Sequence, residues 1–287
     1  MEAQDGRLSA SLGDIIADAL VVRRDLAVIL DPLDVLTLLR TDAHPFALVG
    51  AWAGGGAVLG SEPAAISSPP DDIGEVLGAR SAASLVRPQP SAETGQARFG
   101  GGWVGYLGYG LAGYLHALPP APGGPRKLPR WWFGYYDHVL GYDAGSGTWT
   151  FEALVTPERS AAIEARFADL AGRMRAAAAQ PVPAPGSYTC GEFEVTPAPA
   201  EHQQSVARAV DLIHAGDMFQ ANITLQLDAS FSGDPLDLFC RGASRLRPPY
   251  AAFLRLAGDQ AVASFSPELF LRRTGASVQA SPIKGTS

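Results

Sequence analysis

The sequence predicts an α+β protein with an antiparallel sheet. Three observations predict this class. Residues 20–155 consist mainly of short segments rich in aromatic and β-branched residues between Gly, Pro and Asp breaks, and residues 223–280 show the same pattern. Short turns join neighbouring segments, which favours antiparallel pairing. Helical periodicity is confined to a few separate stretches.

The N-terminal part begins with a predicted short helix from Pro32 to Arg40, where leucine and valine recur at helical spacing. Strands rich in aromatic and β-branched residues follow. They are Phe46 to Gly50, Ala57 to Gly60, Trp103 to Tyr109, Trp131 to Tyr142 and Thr148 to Leu154. We therefore expect this half of the chain to be mainly β.

A longer helix comes next, because Thr156 can cap it, Pro157 suits its first position and apolar residues recur at helical spacing after them. The residues that follow pass from alanines into closely spaced prolines, which is typical of a linker. A short strand is predicted within that linker at Phe193 to Val195.

A second helix is predicted from Glu201 to a helix-ending glycine, Gly216. Strands separated by short turns follow it. They are Ile223 to Phe231, Tyr250 to Leu256, Ala261 to Phe265, Leu269 to Arg272 and Ser277 to Ala280. We therefore divide the chain into a β-rich N-terminal region at 1–175, a linker at 176–200 and the start of a second region at 201–287.

Charge and cysteine content exclude several classes of protein. With 22 Lys and Arg against 29 Asp and Glu the net charge is −7, and no basic stripe occurs, so we expect no nucleic-acid partner. The acidic N-terminus is unlike a secretory signal, and no stretch approaches the ~18 apolar residues that span a membrane. The 2 cysteines and 5 histidines lack metal-binding spacing, so no metal ligand is assigned. Because the sequence also shows no disulfide framework, secretory signal or membrane span, we expect a cytoplasmic protein.

Two glycine-containing motifs resemble phosphate-binding loops and are rejected. Gly100 to Gly105 satisfies GxGxxG but opens an aromatic-rich strand, so no helix N-terminus is available for a pyrophosphate. Lys284 to Ser287 lacks the preceding glycine frame and the following helix of a P-loop.

Lys284 is the first candidate for chemistry. It follows an apolar strand and lies between a proline-stiffened approach and Gly285, which lets a ligand come close to the backbone. Burial of a lysine disfavours its charged form and leaves an amine that can attack an electrophilic carbon. The alternative is a lysine that pairs with a surface carboxylate in a turn, and the residues alone favour that alternative.

Glu268 is the second candidate, at a strand end 16 residues before Lys284 and separated from it by one hairpin. A carboxyl group can protonate a departing hydroxyl and then accept a proton from an entering amine, provided that partial burial favours its protonated form. The alternative is a surface ion pair with Arg272 or Arg273.

Three motifs in this order resemble the component I family of chorismate-utilising enzymes, which includes anthranilate, aminodeoxychorismate, isochorismate and salicylate synthases. They are GDMFQANIT (216–224), SFSPELFL (264–271) and PIKGT (282–286). Gly100 to Ala112 and Leu128 to Asp143 extend the similarity upstream. The resemblance implies two packed antiparallel sheets with outer helices, of which this chain supplies an incomplete portion.

The resemblance also implies a reaction. A lysine in PIKGT is the pattern of aminodeoxychorismate synthases, whereas anthranilate synthases have alanine there. Lys284 would attack C2 of chorismate with loss of the C4 hydroxyl, and ammonia would then add at C4 and expel the lysine. Glu268 matches the general acid and base, and Gly285 and Thr286 would contact the substrate. The implied product belongs to the route to 4-aminobenzoate and folate.

The resemblance further implies a glutamine amidotransferase partner as the source of ammonia, and Mg²⁺ held by glutamates in a C-terminal part that this chain lacks. A regulatory tryptophan pocket of the family lies between N-terminal strands and a Pro-Tyr segment, here Pro249 and Tyr250. Arg247 and the strand Ala47 to Trp52 depart from the family pattern. The pocket is interpreted as either a tryptophan site or a structural one. The two departures from the family pattern count against tryptophan binding.

Two alternatives stay open. One is an anthranilate, isochorismate or salicylate synthase-type enzyme in which Lys284 takes no part. The other is a truncated remnant that binds a ligand or partner without turnover. Because the last strand runs into Pro282 to Ser287 with nothing after it, the sequence looks truncated. We expect the fragment alone to be inactive and poorly soluble.

Overall fold

The structure is a computed structural model. It describes residues 20–69, 73, 100–115, 128–180 and 184–283. The chain forms two compact units, residues 1–185 with 239–287 and residues 186–238. The boundaries of these two units differ from those of the three regions predicted from the sequence, 1–175, 176–200 and 201–287. The division into three regions stays a prediction.

Short strands dominate the chain up to residue 155, and a long helix follows. In chain order the elements are β1 (Leu20–Leu26), α1 (Pro32–Leu38), β2 (Phe46–Gly50), β3 (Gly56–Gly60), β4 (Ala65–Ser67), β5 (Gly102–Leu107), α2 (Ala112–Leu115), β6 (Trp131–Tyr136), β7 (His138–Asp143), β8 (Thr148–Val155) and α3 (Ser160–Ala178). The motif at 100–105 therefore opens a strand, as predicted.

The remaining elements alternate between helices and short strands. They are β9 (Thr189–Cys190), β10 (Glu194–Thr196), α4 (Pro199–Ala215), β11 (Gln226–Asp228), β12 (Phe231–Ser232), α5 (Pro235–Leu246), β13 (Tyr250–Arg255), β14 (Ala261–Ser266), β15 (Leu269–Thr274) and β16 (Ser277–Ser281). The predicted α+β class with antiparallel sheets is confirmed.

The main sheet of the first unit has seven strands in the order β1-β8-β7-β3-β2-β13-β14. Each neighbouring pair is antiparallel. β13 pairs with β2 although about 200 residues separate them in sequence, with Tyr250 opposite Gly50 and Leu254 opposite Phe46. A strand from the C-terminal third of the chain thus completes a sheet that the N-terminal strands begin.

A smaller antiparallel sheet, in the order β4-β6-β5, packs on one face of the main sheet. Buried apolar residues of both sheets form a common core. They are Phe46, Val58, Val139, Leu254 and Leu256 from the main sheet and the strand end after it, with Val104, Trp132 and Tyr136 from the small sheet. Each large side chain buried in this way contributes about 1.5–3 kcal/mol to folding.

Helices cover the opposite face of the main sheet. In α3, Ile163, Leu170 and Met174 are buried, and the ring of Phe167 meets that of Phe151 edge-on at 5.3 Å. From α5, Phe239 packs against two strands, with ring-centroid distances of 5.5 Å to Phe253 and 5.7 Å to Phe265. The two-sheet core with outer helices is the arrangement that the family resemblance implies.

The second unit contains two small antiparallel pairs and the helix α4. β10 pairs with β11, and β9 pairs with β12. Helix α4 ends at Gly216, whose φ of 83° is the left-handed conformation that favours glycine. The prediction of this helix end is confirmed.

Several predicted boundaries are wrong. The strand predicted from Trp131 to Tyr142 is two strands in different sheets, because the chain turns at Asp137 and leaves one sheet for the other. Helix α3 begins at Ser160 and not at Pro157, since the N–H of Arg159 bonds to the carbonyl of Thr156 at 3.1 Å and closes a turn first.

The strand predicted from Ile223 to Phe231 is mostly irregular, with only β11 and β12 formed inside it. Its partner β10 is short, and it is followed by Pro197, which has no N–H to extend a ladder. A strand that lacks a partner of equal length cannot satisfy its backbone groups over its whole length.

Helix α5 was not predicted. Its start carries recognisable signals, since Asp234 Oδ1 accepts a hydrogen bond from the N–H of Leu236 at 2.9 Å and Pro235 occupies the first helical position. Phe239, Cys240 and Ala243 are buried. This spacing of three and four residues is helical, and the sequence-based assignment missed it.

Candidate active site

The candidate active site is built on the hairpin of β15 and β16. These strands form a separate two-stranded antiparallel sheet within the first unit. The tight turn at residues 275–276 returns the chain so that the start of β15 lies beside the end of β16, with Leu269 opposite Ser281. The hairpin therefore brings together the residues that precede β15 and those that follow β16.

Glu268 precedes β15, and its side chain reaches across the open end of the hairpin. Its Oε1 accepts a hydrogen bond from the backbone N–H of Ile283 at 3.1 Å. The Ser266 side chain supports the same turn, since its Oγ accepts from the N–H of Glu268 at 3.3 Å and donates to the carbonyl of Glu268 at 3.2 Å. Glu268 is half-buried and bonded to the residue immediately before Lys284.

Three predicted site residues, Lys284, Gly285 and Thr286, lie outside the described residues. Their assignment stays a prediction. Neither Arg272 nor Arg273, the arginines considered as surface partners of Glu268, is bonded to it. Arg272 donates to the carbonyl of Ala51 at 2.5 Å, and Arg273 donates to the carbonyl of Gly275 at 2.9 Å.

Pro249 and Tyr250, predicted to line a tryptophan-binding or structural pocket, lie at the start of β13. The carbonyl of Pro249 accepts from the N–H of Ala51 at 2.6 Å. The ring of Tyr250 meets the indole of Trp52 edge-on at 5.5 Å, and the indole N–H donates to the carbonyl of Ala251 at 2.9 Å. These contacts within the chain favour the structural alternative, which stays a prediction.

From the sequence alone, Gln220 and Asn222 of the GDMFQANIT motif could either orient a ligand or be buried partners of backbone amides. They lie in an irregular segment of the second unit. Both side chains are exposed. The buried alternative is therefore wrong for these two residues, because no strand forms around them to enclose them.

A cleft of about 620 Å³ opens beside the β2–β13 pair. It is lined by residues of α1, α5 and these strands, among them Asp34, Val49 and Arg247. Burial, and then the nearby charge of Asp31, raise the pKa of the Asp34 carboxyl. No residue of the β15–β16 hairpin lines this cleft, so we assign it no part in the chemistry.

An ionic cluster fastens α3 to the main sheet. Arg166 donates to Asp42 at 2.6 Å, to Ser61 at 2.5 Å and to Nε2 of His138 at 3.3 Å. Nδ1 of the same ring lies 2.8 Å from Oδ1 of Asp137, within hydrogen-bond distance. No residue of this cluster belongs to the hairpin, and we assign the cluster to the scaffold.

Contacts with basic side chains and hydroxyl groups lower the pKa of both carboxylates in this cluster. Burial alone would raise the pKa of Asp42, but hydrogen bonds from Arg166 and Ser61 and the charges of Arg166 and Arg173 outweigh it and hold the pKa below its usual range. Burial would also raise the pKa of Asp137. Contacts with His138 and Arg159 outweigh burial, so this pKa is lowered too.

No group of three or more His, Cys, Asp or Glu side chains that could hold a metal ion occurs among residues 20–69, 73, 100–115, 128–180 and 184–283. In the same described part of the chain, no helix is both long and apolar enough to cross a membrane.

Comparison with known proteins identifies the class to which this fold and site belong. Residues 45–287 match the chorismate binding enzyme family. The chain belongs to that family. Because the match extends from β2 through the hairpin, it includes the strands of the main sheet from β2 onward and the candidate site.

Relatives within this family carry two different names. The chain is 31% identical over 220 residues to anthranilate synthase component 1 of Streptomyces coelicolor, covering 71% of this chain and 41% of the relative. It is 29% identical over 222 residues to aminodeoxychorismate synthase component 1 of Salmonella typhimurium, covering 75% of this chain and 44% of the relative. The chain thus spans less than half of the length of these relatives.

A solved structure confirms the fold. Anthranilate synthase component I from Streptococcus pneumoniae superposes with a TM-score of 0.57 at 18% identity, covering 97% of this chain and 56% of that protein. At this identity the likeness concerns the fold alone.

Proposed function

We propose that the full-length protein is an aminodeoxychorismate synthase component 1, which converts chorismate and ammonia to 4-amino-4-deoxychorismate and water. The observation that carries the proposal is the hydrogen bond that the backbone N–H of Ile283, the residue before Lys284, donates to Oε1 of Glu268. It fastens a carboxylate beside the chain position that holds an amine, which is the pair of groups this reaction needs.

In the proposed first step the Lys284 amine attacks C2 of the ring, the ring double bonds shift, and the C4 hydroxyl departs. Glu268 supplies the proton that lets this hydroxyl leave as water. Ammonia then adds at C4, the double bonds shift back, and the lysine departs from C2. Glu268, now a carboxylate, accepts the proton that ammonia releases, which returns it to its starting state.

The ammonia is proposed to come from a glutamine amidotransferase subunit. Both relatives described above are named component 1, which supports a second subunit. The proposed Mg²⁺ would help to hold the substrate carboxylates in members of this family. Its ligands are proposed to be glutamates of a C-terminal part of the full-length protein. The described residues contain no group of three or more His, Cys, Asp or Glu side chains that could hold a metal ion.

Intact-protein mass spectrometry tests the nucleophile directly. The full-length protein is mixed with chorismate in the absence of ammonia and glutamine, and the expected adduct has the mass of chorismate less one water. Lys284→Ala is expected to abolish the adduct, while alanine at Lys127, the other lysine in this sequence, leaves it unchanged. Retention of the adduct in Lys284→Ala would refute the lysine mechanism.

An anthranilate synthase-type reaction is the second candidate, because the Streptomyces relative with 31% identity carries that name. The products separate the two candidates. With chorismate and ammonia, the proposed enzyme yields a species that a lyase converts to 4-aminobenzoate, whereas direct release of anthranilate would establish the second. A protein that binds chorismate but releases neither product would be the non-catalytic remnant.

A further inference from the structure

Among the described residues, the hairpin that carries the candidate site is not part of the main sheet, and side-chain contacts connect the two. β15 and β16 pair only with each other among the described residues. At the start of β15, Leu269 is buried with 7% of its surface exposed, whereas the next two side chains, Phe270 and Leu271, are 90% and 57% exposed. One face of the hairpin is therefore directed inward.

A β-bulge determines which side chain joins Leu269 on that inward face. Leu269 lies opposite Ser281 and Arg272 lies opposite Gln279, so three steps along β15 match two steps along β16. Ser281 and Gln279 are two residues apart and project to the same side of the hairpin. The extra residue in β15 therefore turns Arg272 to the side of Leu269, where regular alternation would have placed Leu271.

The inward orientation lets Arg272 reach the main sheet. Its guanidinium donates a hydrogen bond to the carbonyl of Ala51 at 2.5 Å. That carbonyl is itself held in place, because the N–H of Ala51 bonds to Pro249 at 2.6 Å and Gly50 pairs with Tyr250. Arg272 thus ties the hairpin to a rigid point at the end of β2.

We propose that Arg272 is a positioning residue that sets the orientation of Glu268 through its bond to Ala51. The proposal rests on the function proposed above. Arg272 does not touch substrate in this account. Its effect on the reaction arises because a charge-assisted hydrogen bond and a bulge together prevent the hairpin from pivoting away from the sheet.

The test compares Arg272→Met with Arg273→Met in the full-length protein. Arg273 is a matched control because, among the residues that the structure describes, its guanidinium bonds only to the carbonyl of Gly275 in the hairpin turn. Arg272→Met is expected to lower kcat at least tenfold, since small misplacement of reacting groups is costly. It should also increase the amide hydrogen exchange of residues 269–281, and Arg272→Lys should recover part of both losses. Arg273→Met should change neither.

A merely structural role would lower the melting temperature of Arg272→Met without a specific loss in kcat, and lysine would not rescue it. Normal kcat in Arg272→Met, or reduced kcat with unchanged exchange of the hairpin amides, would overturn the proposal. The exchange measurement does not depend on the reaction. If the wild-type protein proves to release anthranilate, the proposed function fails, while faster hairpin exchange in Arg272→Met still supports the positioning role.

Discussion

The carboxylate of Glu268 and the backbone N–H of Ile283 are joined by a hydrogen bond of 3.1 Å across the open end of the β15–β16 hairpin. This bond gives Glu268 two separable roles. It closes the hairpin through an acceptor oxygen, and it presents a group that can exchange a proton beside the position of Lys284. Substitutions that retain one role and remove the other distinguish them.

Glu268→Gln keeps an oxygen that can accept from Ile283 but cannot exchange a proton. We expect kcat to fall by about 10²–10⁴-fold, the usual contribution of general acid–base catalysis, with unchanged thermal stability. Glu268→Ala should lose the same activity and also accelerate amide exchange at Ile283. Steady-state kinetics and hydrogen exchange of the full-length protein measure the two effects. Wild-type activity in Glu268→Gln would remove this residue from the mechanism.

The lowered pKa of Asp42 predicts that the attachment of α3 to the main sheet is sensitive to acid. Its pKa is lowered in the folded protein, so its contribution to stability is complete above the ordinary aspartate pKa of about 3.9 and is lost as pH falls through the lower folded value. Asp42→Asn leaves Arg166 and Arg173 without this carboxylate and should cost about 2–3 kcal/mol at neutral pH. Below about pH 4, the stability of the Asp42→Asn variant should fall less steeply with decreasing pH than that of the wild type.

Urea unfolding at several pH values measures this difference. Asp169→Asn is the matched control, because Asp169 contacts the same two arginines but its side chain is 48% exposed against 9% for Asp42. An exposed pair contributes at most about 1 kcal/mol. Equal losses in the two variants would contradict the assignment of Asp42 as the central carboxylate.

Gly50 and Gly55 form a matched pair for the junction between β2 and β13. Their φ angles are 112° and 111°, and a Cβ on Gly50 would lie 2.3 Å from the carbonyl oxygen of Pro249, whereas a Cβ on Gly55 meets nothing within 4 Å. Gly55→Ala should therefore cost only the backbone strain, about 1–3 kcal/mol. Gly50→Ala should cost more because it also separates the two strands. Thermal unfolding compares them, and equal losses would show that the Pro249 contact is unimportant.

Phe239 anchors the helix that the sequence analysis missed. Its side chain is fully buried and stacks between Phe253 and Phe265. Phe239→Ala should destabilise the protein by about 3–5 kcal/mol. Phe270→Ala, at a side chain that is 90% exposed, should change stability by no more than about 0.5 kcal/mol. A small loss in Phe239→Ala would mean that α5 contributes little to the core.

The sequence by itself determined the features that depend on neighbouring residues. Alternating apolar segments and short turns predicted β13 to β16, and the helix end at Gly216 followed from a residue type that tolerates positive φ. The 16-residue separation of Glu268 and Lys284 predicts that one hairpin lies between them, and Glu268 and Ile283 do meet at the open end of that hairpin. These are local relationships, in which strand period and turn length suffice.

Only the tertiary structure decided which distant segments meet. The pairing of β13 with β2, the bond between Ala51 and Pro249, and the reach of Arg272 to Ala51 join residues about 200 positions apart. Strand pairing uses backbone groups that nearly every residue has, so the sequence of a strand does not identify the strand with which it pairs. The bulge that turns Arg272 inward depends on the register of two strands, which tertiary packing selects.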